Sequence, residues 1–406
     1  MKSNYKRLGD YIKEVNNRNT NLEDVKLLGV SIQKVFIPSI ANTIGTDMST
    51  YKLITKKQFA YGPVTSRNGD KISVALLNDY EKAMISQAYT SFEVIDENEL
   101  LPEYLMMWFR RSEFDRYARF MSHGSAREIF GWEEMCNTIL PVPTITKQKE
   151  IVKEYNVLVD RINLNNRLIQ KLEETAQTIY KQWFVDFEFP DENGKPYKSN
   201  GGEMEISKKL DKEVPKGWKV DSLKNITSTI DNRGKTPPHR EKETNFPLIE
   251  IGSIRSTDRI IDYDKCEKYI DEDVYNNWFR SGHPTKKDVL FSTVGSLAEM
   301  KIFWGTKGSI AQNIVAFRCK ENIGLYIYQL LLNSKNDLVS YEIGSVQASI
   351  KVSHIVDFNL LLPDKELTNK YEKYAEAITE NIFLLCEQNL VLKKLIHILL
   401  QRMTQT

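Results

Sequence analysis

Only four of the 406 residues are cysteine, and Cys136, Cys266, Cys319 and Cys386 lie far apart with no C-x-x-C pair. That scarcity offers no disulfide framework and implies reduced thiols in a cytoplasmic protein. Long apolar runs are also missing. The densest, Leu325 to Leu332, is short and contains Gln329, so no membrane-spanning helix is expected. The opening Met1-Lys2-Ser3-Asn4-Tyr5-Lys6-Arg7 lacks the apolar stretch of a secretion signal. Charge of one sign is absent too: 56 Lys and Arg face 55 Asp and Glu, a net charge of +1. A protein that grips nucleic acid unaided needs an excess of cations, because affinity grows with the number of phosphates neutralised. A chain that reads bases while partners supply the grip does not.

Catalytic signatures are equally sparse. There is no G-x-x-x-x-G-K-[ST] phosphate loop, so ATP hydrolysis is not expected in this chain. No Gly-rich cofactor fingerprint follows a strand, and no Asn/Asp-Pro-Pro-aromatic motif is found. His123, His239, His283, His354 and His397 are scattered without metal-ligand spacing, so no metal site is expected. Two acidic clusters, Pro190-Asp191-Glu192 and Pro363-Asp364 with Glu366, have the look of nuclease carboxylates. One falls in a stretch of linker composition. The other opens a helix, where an acid is expected on dipole grounds. No nucleophile–base constellation stands out, and no catalytic residue is expected.

What the chain has is a duplication. Leu140-Pro141-Val142-Pro143 and a long heptad segment recur as Leu360-Leu361-Leu362-Pro363 and another. Each is preceded by a globular stretch of about 140 residues, and the two stretches match in order. Leu8, Ile12 and Val15-Asn16-Asn17-Arg18 correspond to Leu223, Ile226 and Ile230-Asp231-Asn232-Arg233. Leu28-Gly29-Val30-Ser31 and Ile251-Gly252-Ser253-Ile254 read as equivalent short strands. Lys56 to Tyr61 faces Lys286 to Phe291, and Ile85 to Phe92 faces Ile310 to Phe317. Helices follow from Pro102 and from Gly324, then Gly124-Ser125-Ala126-Arg127 and Gly344-Ser345-Val346-Gln347. Short alternating strands with one or two helices make each half a mixed α/β domain. Pro190 to Gly202, rich in Asn, Gly and Ser, has the composition of a linker.

The heptad segments are sharper. Ile151, Tyr155, Leu158, Ile162, Asn165, Ile169, Leu172, Ala176, Ile179 and Trp183 step by four and three without a break, the pattern of a coiled-coil seam. The second seam reads Tyr374, Ile378, Asn381, Leu385, Gln388, Leu392, Leu395 and Leu399. Asn165 and Gln388 fall near the middle of each. In antiparallel helices these amides would meet and fix register at some cost in stability.

In this order, Phe59-Ala60-Tyr61, Ile85-Ser86-Gln87-Ala88-Tyr89, Leu140-Pro141-Val142-Pro143 with Gln148 and Ile151, Ile162-Asn163-Leu164-Asn165-Asn166 and Tyr180-Lys181-Gln182-Trp183-Phe184 carry a resemblance. The chain resembles the specificity subunit of type I restriction–modification enzymes over nearly its whole length. The second copy departs at Leu367-Thr368-Asn369, where the first has the Lys147-Gln148 region. The resemblance implies an α+β protein with two target recognition domains, 1–143 and 218–363. Two antiparallel helices, 144–187 and 364–406, would hold them apart, with a linker over 188–217 and a pseudo-two-fold circular arrangement. It also implies double-stranded DNA as ligand, two modification subunits that bind S-adenosylmethionine, and up to two motor-nuclease subunits that use ATP and Mg. This chain would hold no cofactor, perform no chemistry and contact no membrane. About 40 helical residues span roughly 60 Å, comparable to one or two turns of duplex, so the expected target is split and asymmetric.

Base edges are read by Arg, Lys, Asn, Gln, Ser and Thr, and loops at matching positions are the natural readers. In the first domain these are Asn17, Arg18, Ser66, Arg67, Asn68, Ser125 and Arg127. In the second they are Arg233, Lys235, Thr236, Thr293, Ser296, Ser345, Gln347 and Lys351. Several could equally be turn residues, and Phe59-Ala60-Tyr61 reads as a core strand, not a stacking platform. Two other classes fit less well. A coiled-coil adaptor without DNA binding gives no reason for two domains alike in pattern and different in loops. A chain with its own catalytic domain would need the motifs that are missing.

Overall fold

The computed structural model describes residues 4–41, 44–66, 68–124, 127–305, 308–344 and 348–404. The chain divides into two compact bodies, Met1–Ile162 with Val391–Thr406, and Asn163–Leu390. Among the described residues no helix is long and apolar enough to cross a membrane.

In the first body, β1 (Tyr5–Arg7) leads into β2 (Ile12–Val15), β3 (Leu27–Val30), β4 (Phe36–Pro38), β5 (Lys52–Thr55), β6 (Phe59–Tyr61), β7 (Val74–Leu76), β8 (Lys82–Ile85) and β9 (Thr90–Val94). Helices α1 (Pro102–Phe109), α2 (Ser112–Phe120) and α3 (Trp132–Asn137) follow, then β10 (Ile139–Pro141) and the long α4 (Ile145–Tyr180). Two four-stranded sheets form, ordered β2-β9-β6-β7 and β4-β3-β8-β5, while β1 pairs with β10. The central strand β6 is buried on both faces, and its period-two alternation divides the core. Phe59 and Tyr61 pack with Leu105 and Phe109 of α1; Ala60 packs with Leu28, Ile54 and Ile85 of the second sheet. α1 is apolar nearly all round because it is buried nearly all round, and Pro102 at its first turn is compatible with the missing N–H.

The second body repeats this order. A hairpin of β11 (Met204–Ser207) and β12 (Lys212–Pro215) precedes β13 (Lys219–Ser222), the one-turn α5 (Leu223–Ile226) and β14 (Thr227–Ile230). Then come β15 (Phe246–Ile249), β16 (Tyr269–Ile270), α6 (Glu272–Asn277), β17 (Val289–Ser292), β18 (Met300–Ile302), β19 (Ser309–Ile310) and β20 (Ile314–Cys319). The chain ends with α7 (Gly324–Asn333), α8 (Lys335–Val339), β21 (Glu342–Ile343), β22 (Ser349–Ile350), α9 (Val352–Val356), β23 (Asn359–Leu362) and α10 (Lys365–Arg402). The sheet β14-β20-β17-β18 matches β2-β9-β6-β7 strand for strand, and β13 pairs with β23 as β1 does with β10. Details repeat as well. Lys57 and Lys287, each two residues before the central strand, both have left-handed backbone (φ 69° and 74°). The Tyr104 hydroxyl donates to the Pro141 carbonyl at 3.2 Å, and the Tyr326 hydroxyl to Leu361 at 2.5 Å.

Three expectations are corrected. Ile251–Ile254 is a short 3-10 turn, not a strand. The strand equivalent to β3 is β15, since both lie parallel to the strand that ends in Ile85 or Ile310. The stretch with linker composition is folded. Within the expected linker, 188–217, Phe189 and Val214 are buried, and Phe189 stacks between Tyr197 (4.5 Å) and Trp218 (5.5 Å). Asp191 is a turn residue: its carboxylate accepts the backbone N–H of Asn193 and Lys195, each at 2.8 Å. Asp364 accepts the Leu367 N–H at 2.8 Å at the start of α10, a capping role.

The third correction concerns the second seam. Buried residues along α10 include Tyr371, Ala375, Ile382, Asn389 and Leu400, with Ile378, Leu385, Leu392, Ile396 and Leu399 half-buried, and Met403 just past its end is buried as well. Tyr374, Asn381, Gln388 and Leu395 are exposed. Half of the expected positions, 378, 385, 392 and 399, lie on the seam, and the others sit one residue too early. The physical reason is that Ile382 offers an apolar knob where Asn381 does not. In the second body the two helices run antiparallel, with Trp183 near Tyr371 and Tyr374 and Asn165 beside residues 388 and 389. Asn165 Nδ2 donates to Gln388 Oε1 (2.8 Å) and to Asn389 Oδ1 (2.9 Å), and Asn389 Nδ2 donates to Asn166 Oδ1 (2.9 Å). The buried pair of this polar layer is Asn165 and Asn389.

Candidate nucleic-acid interface

Strand register gathers the loops. In the first body Val15 lies opposite Ser91, Tyr61 opposite Thr90, and Tyr61 opposite Val74. The loops after β2 and β6 and before β7 and β9 therefore emerge at one end of one sheet. A further loop is tied to them across some 60 residues of chain. Val64 bridges Ile129, Thr65 N–H donates to the Glu128 carbonyl at 2.9 Å, and Phe130 N–H to Pro63 at 2.8 Å. Ser66 and Asn68 are thus brought to the same edge as Arg127.

The second body builds the same edge. Ile230 lies opposite Ala316, Ser292 opposite Ile314, and Phe291 opposite Met300. Val294 bridges Ser349, while Gly295 N–H donates to Ala348 (3.1 Å) and Ile350 N–H to Thr293 (2.8 Å). Ser296 and Lys351 converge accordingly.

Not every nominated side chain is available there. Asn17, Ser66, Arg127, Lys235 and Lys351 are exposed. Arg18 is half-buried with its guanidinium on the Thr50 carbonyl. Asn68 Nδ2 donates to Val64 at 3.3 Å. Arg233 makes a bidentate pair with Asp231 at 2.9 and 2.6 Å, which holds the Asp231 carboxyl below its usual range. Thr236 accepts a hydrogen bond from Gln312, and Ser296 accepts one from Arg255. Thr293 is a correction: it is fully buried, and both its N–H and its hydroxyl donate to the Asn313 carbonyl. It continues the edge of β17 and has no path to a base. Arg67, Ser125, Ser345 and Gln347 lie outside the described residues.

Two cations at this edge escaped the sequence comparison. Exposed Arg255 holds Ser296, and exposed Arg280 donates to the Arg233 carbonyl at 3.0 Å. Neither position falls within a stretch matched between the two copies, so the internal repeat carries no signal for them. Asn232 adds a clasp, donating to the Gly282 carbonyl at 2.8 Å and accepting the Ser281 N–H at 3.0 Å. Among the described residues no group of three His, Cys, Asp or Glu could hold a metal ion.

The recognition domain of the second body is fastened to both long helices. Arg259, 1% exposed, grips Glu173 of α4 through Nε (3.0 Å) and a terminal nitrogen (2.9 Å), and Thr379 of α10 at 3.2 Å. In the first body Gln148 of α4 accepts the Leu101 N–H at 2.8 Å and donates to Glu99 at 2.7 Å. In the second, Glu372 of α10 takes the corresponding task one turn later, accepting the Tyr326 N–H at 2.8 Å. This substitution accounts for the departure at Leu367-Thr368-Asn369.

The comparisons agree with this construction. The specificity subunit of the type I restriction enzyme MjaIX of Methanocaldococcus jannaschii is 24% identical over 317 residues, covering 76% of this chain and 70% of that protein. That of the HindI enzyme of Haemophilus influenzae is 29% identical over 141 residues, 34% of this chain and 30% of that protein. The crystal structure of a type I restriction–modification S subunit from M. genitalium shares the fold, with a TM-score of 0.56 at 13% identity, over 98% of this chain and 95% of that one. The model of the type I restriction modification DNA specificity domain matches residues 4–174 and again residues 215–380. The chain therefore belongs to the family of type I restriction–modification specificity subunits.

Proposed function

We propose that the chain selects a split, asymmetric DNA target, one half read by each recognition domain, for a complex that modifies and cuts DNA. The observation that carries this reading is the repetition of one loop-bearing sheet edge in both bodies with different loop residues. Like folds dock alike, and unlike side chains at the same station read unlike bases. The chemistry belongs to partners: two modification subunits binding S-adenosylmethionine, and up to two motor-nuclease subunits using ATP and Mg. This chain supplies sequence choice and a scaffold, and holds no cofactor of its own. The paired helices α4 and α10 give the partners a surface to assemble on, and their length relates the two half-sites.

The test is a map of modified adenines across the source genome, with and without this gene, in cells expressing the partner subunits. Loss of methylation at a bipartite motif is the expected result and supplies the target sequence. An unchanged map would sink the specificity role.

A further inference from the structure

Residues repeated in two readers of different sequences carry no sequence information, so they mark contacts that both half-sites share. Three polar side chains of the described loops at this edge are identical in the two copies. These are Asn17 with Asn232, Arg18 with Arg233, and Gln87 with Gln312. Both arginines and Asn232 are engaged internally, so of the first two pairs Asn17 alone is exposed without a side-chain bond among the described residues, and its counterpart does not share that setting. Asn232 clasps the 281–282 backbone, Arg18 holds Thr50 and Arg233 holds Asp231. Gln87 and Gln312 are exposed in both copies.

Their settings correspond closely. Gln87 lies in the turn between β8 and β9, Gln312 in the turn between β19 and β20, two residues after Ile85 and Ile310 respectively. In each the chain crosses from one sheet to the other. Tyr89 N–H closes the first turn on the Ser86 carbonyl, and Ile314 N–H the second on Ala311, both at 3.1 Å. Neighbours then aim the second turn: Thr236 accepts one of the two Gln312 amide N–H groups, and Thr293 binds the Asn313 carbonyl. A primary amide on a rigid turn at the reading edge is a neutral donor suited to a phosphate oxygen.

We infer that Gln87 and Gln312 are equivalent contacts to the DNA backbone, one per half-site, that set how each domain sits on the duplex. The inference rests on the DNA-reading function proposed above. It gives the two domains a common footing, on which the unlike loops then choose bases.

The test uses the chain assembled with its modification subunits. The probes are a duplex carrying the target found by methylation mapping and a scrambled duplex of equal length. Gln87→Ala and Gln312→Ala should each weaken binding about 3- to 10-fold, the worth of one neutral hydrogen bond, equally on both duplexes. Gln87→Arg and Gln312→Arg should tighten both and steepen the salt dependence by about one counterion, which a turn-stabilising role would not do. A changed preference between the duplexes would show a base contact and overturn the inference, as would unchanged affinity with an unchanged salt slope. If the unaltered complex shows no preference for the target, the functional reading itself fails.

Discussion

Arg259 shows how a single residue can dominate the energetics of a domain and remain silent in the sequence. Its guanidinium is desolvated among Glu173, Thr379 and the ring of Tyr328, 5.6 Å away, groups that the chain brings from far away. Removing one partner of a buried ion pair strands the other charge, at a cost of about 3–5 kcal/mol. Arg259→Met should therefore destabilise the protein by that order in urea unfolding. The double variant Arg259→Met with Glu173→Leu should recover most of the loss, because neither charge then remains. Glu372 gives a second residue-scale prediction with a definite sign. Burial pushes its carboxyl from 4.5 up to about 7, against the favourable Tyr326 N–H. Between about pH 4.5 and 7 the unfolded chain releases this proton while the folded chain keeps it. Stability is therefore present at low pH and lost as pH rises through that window. Glu372→Gln keeps an oxygen for Tyr326 and never ionises. It should melt higher than the unaltered protein at about pH 8, by on the order of 2 kcal/mol, with the difference gone near pH 4.5. A gap that grows on acidification would contradict the assignment.

At the scale of elements, the polar layer of the helix pair makes the clearest prediction. Asn165 and Asn389 are buried within an apolar seam and satisfied by each other and by Gln388 and Asn166. Such a layer specifies register at the expense of stability. Asn165→Leu should cost about 1–2 kcal/mol by leaving a buried amide half-satisfied. Asn165→Leu with Asn389→Leu should regain it, and a double-mutant cycle should show coupling of roughly 0.5–2 kcal/mol. Additive losses would mean that the amides act independently. The layer also shows what the sequence could convey. Period alone places the α4 seam, because its exposed apolar residues, Val157, Leu164 and Leu168, are interrupted by Arg161 and Lys171 and form no second continuous stripe. On α10 apolar residues flank the seam on both sides, including exposed Leu384, Val391, Leu395 and Ile398, so period admitted two registers and packing chose the other. Central strands and buried helices were legible as short apolar runs. The hairpin at 204–215 was not, since its polar, Gly-rich surroundings hide the aromatic stack of Phe189, Tyr197 and Trp218 that folds it. The loops nominated to contact DNA converge at one sheet edge in each body, but side-chain roles are not legible in sequence, because a guanidinium such as that of Arg18 or Arg233 is equally able to hold a carbonyl, a carboxylate or a phosphate.

For the whole molecule, duplication makes function separable. Each body has its own core, and each recognition domain returns to its starting edge through a strand pair, β1 with β10 or β13 with β23. In the first body the chain end also returns to its beginning, with the Tyr5 hydroxyl donating to the Thr404 carbonyl at 3.1 Å. A domain closed in this way can be exchanged at its ends without cutting a sheet. Replacing residues 1–143 by the equivalent domain of another family member should change one half of the methylated motif and leave the other half and the gap intact. Inserting one heptad into α4 and one into α10, at facing positions, preserves the seam because a heptad restores the same face. It should lengthen the gap and leave the bases of both halves unchanged, as read by methylation mapping. A heptad adds roughly 10 Å of helix, about three base pairs of duplex at ~3.4 Å each, so the expected change in gap is of that order. Altered base preference after insertion would mean that the helices take part in reading, and the division between reading edge and spacing helix would have to be abandoned.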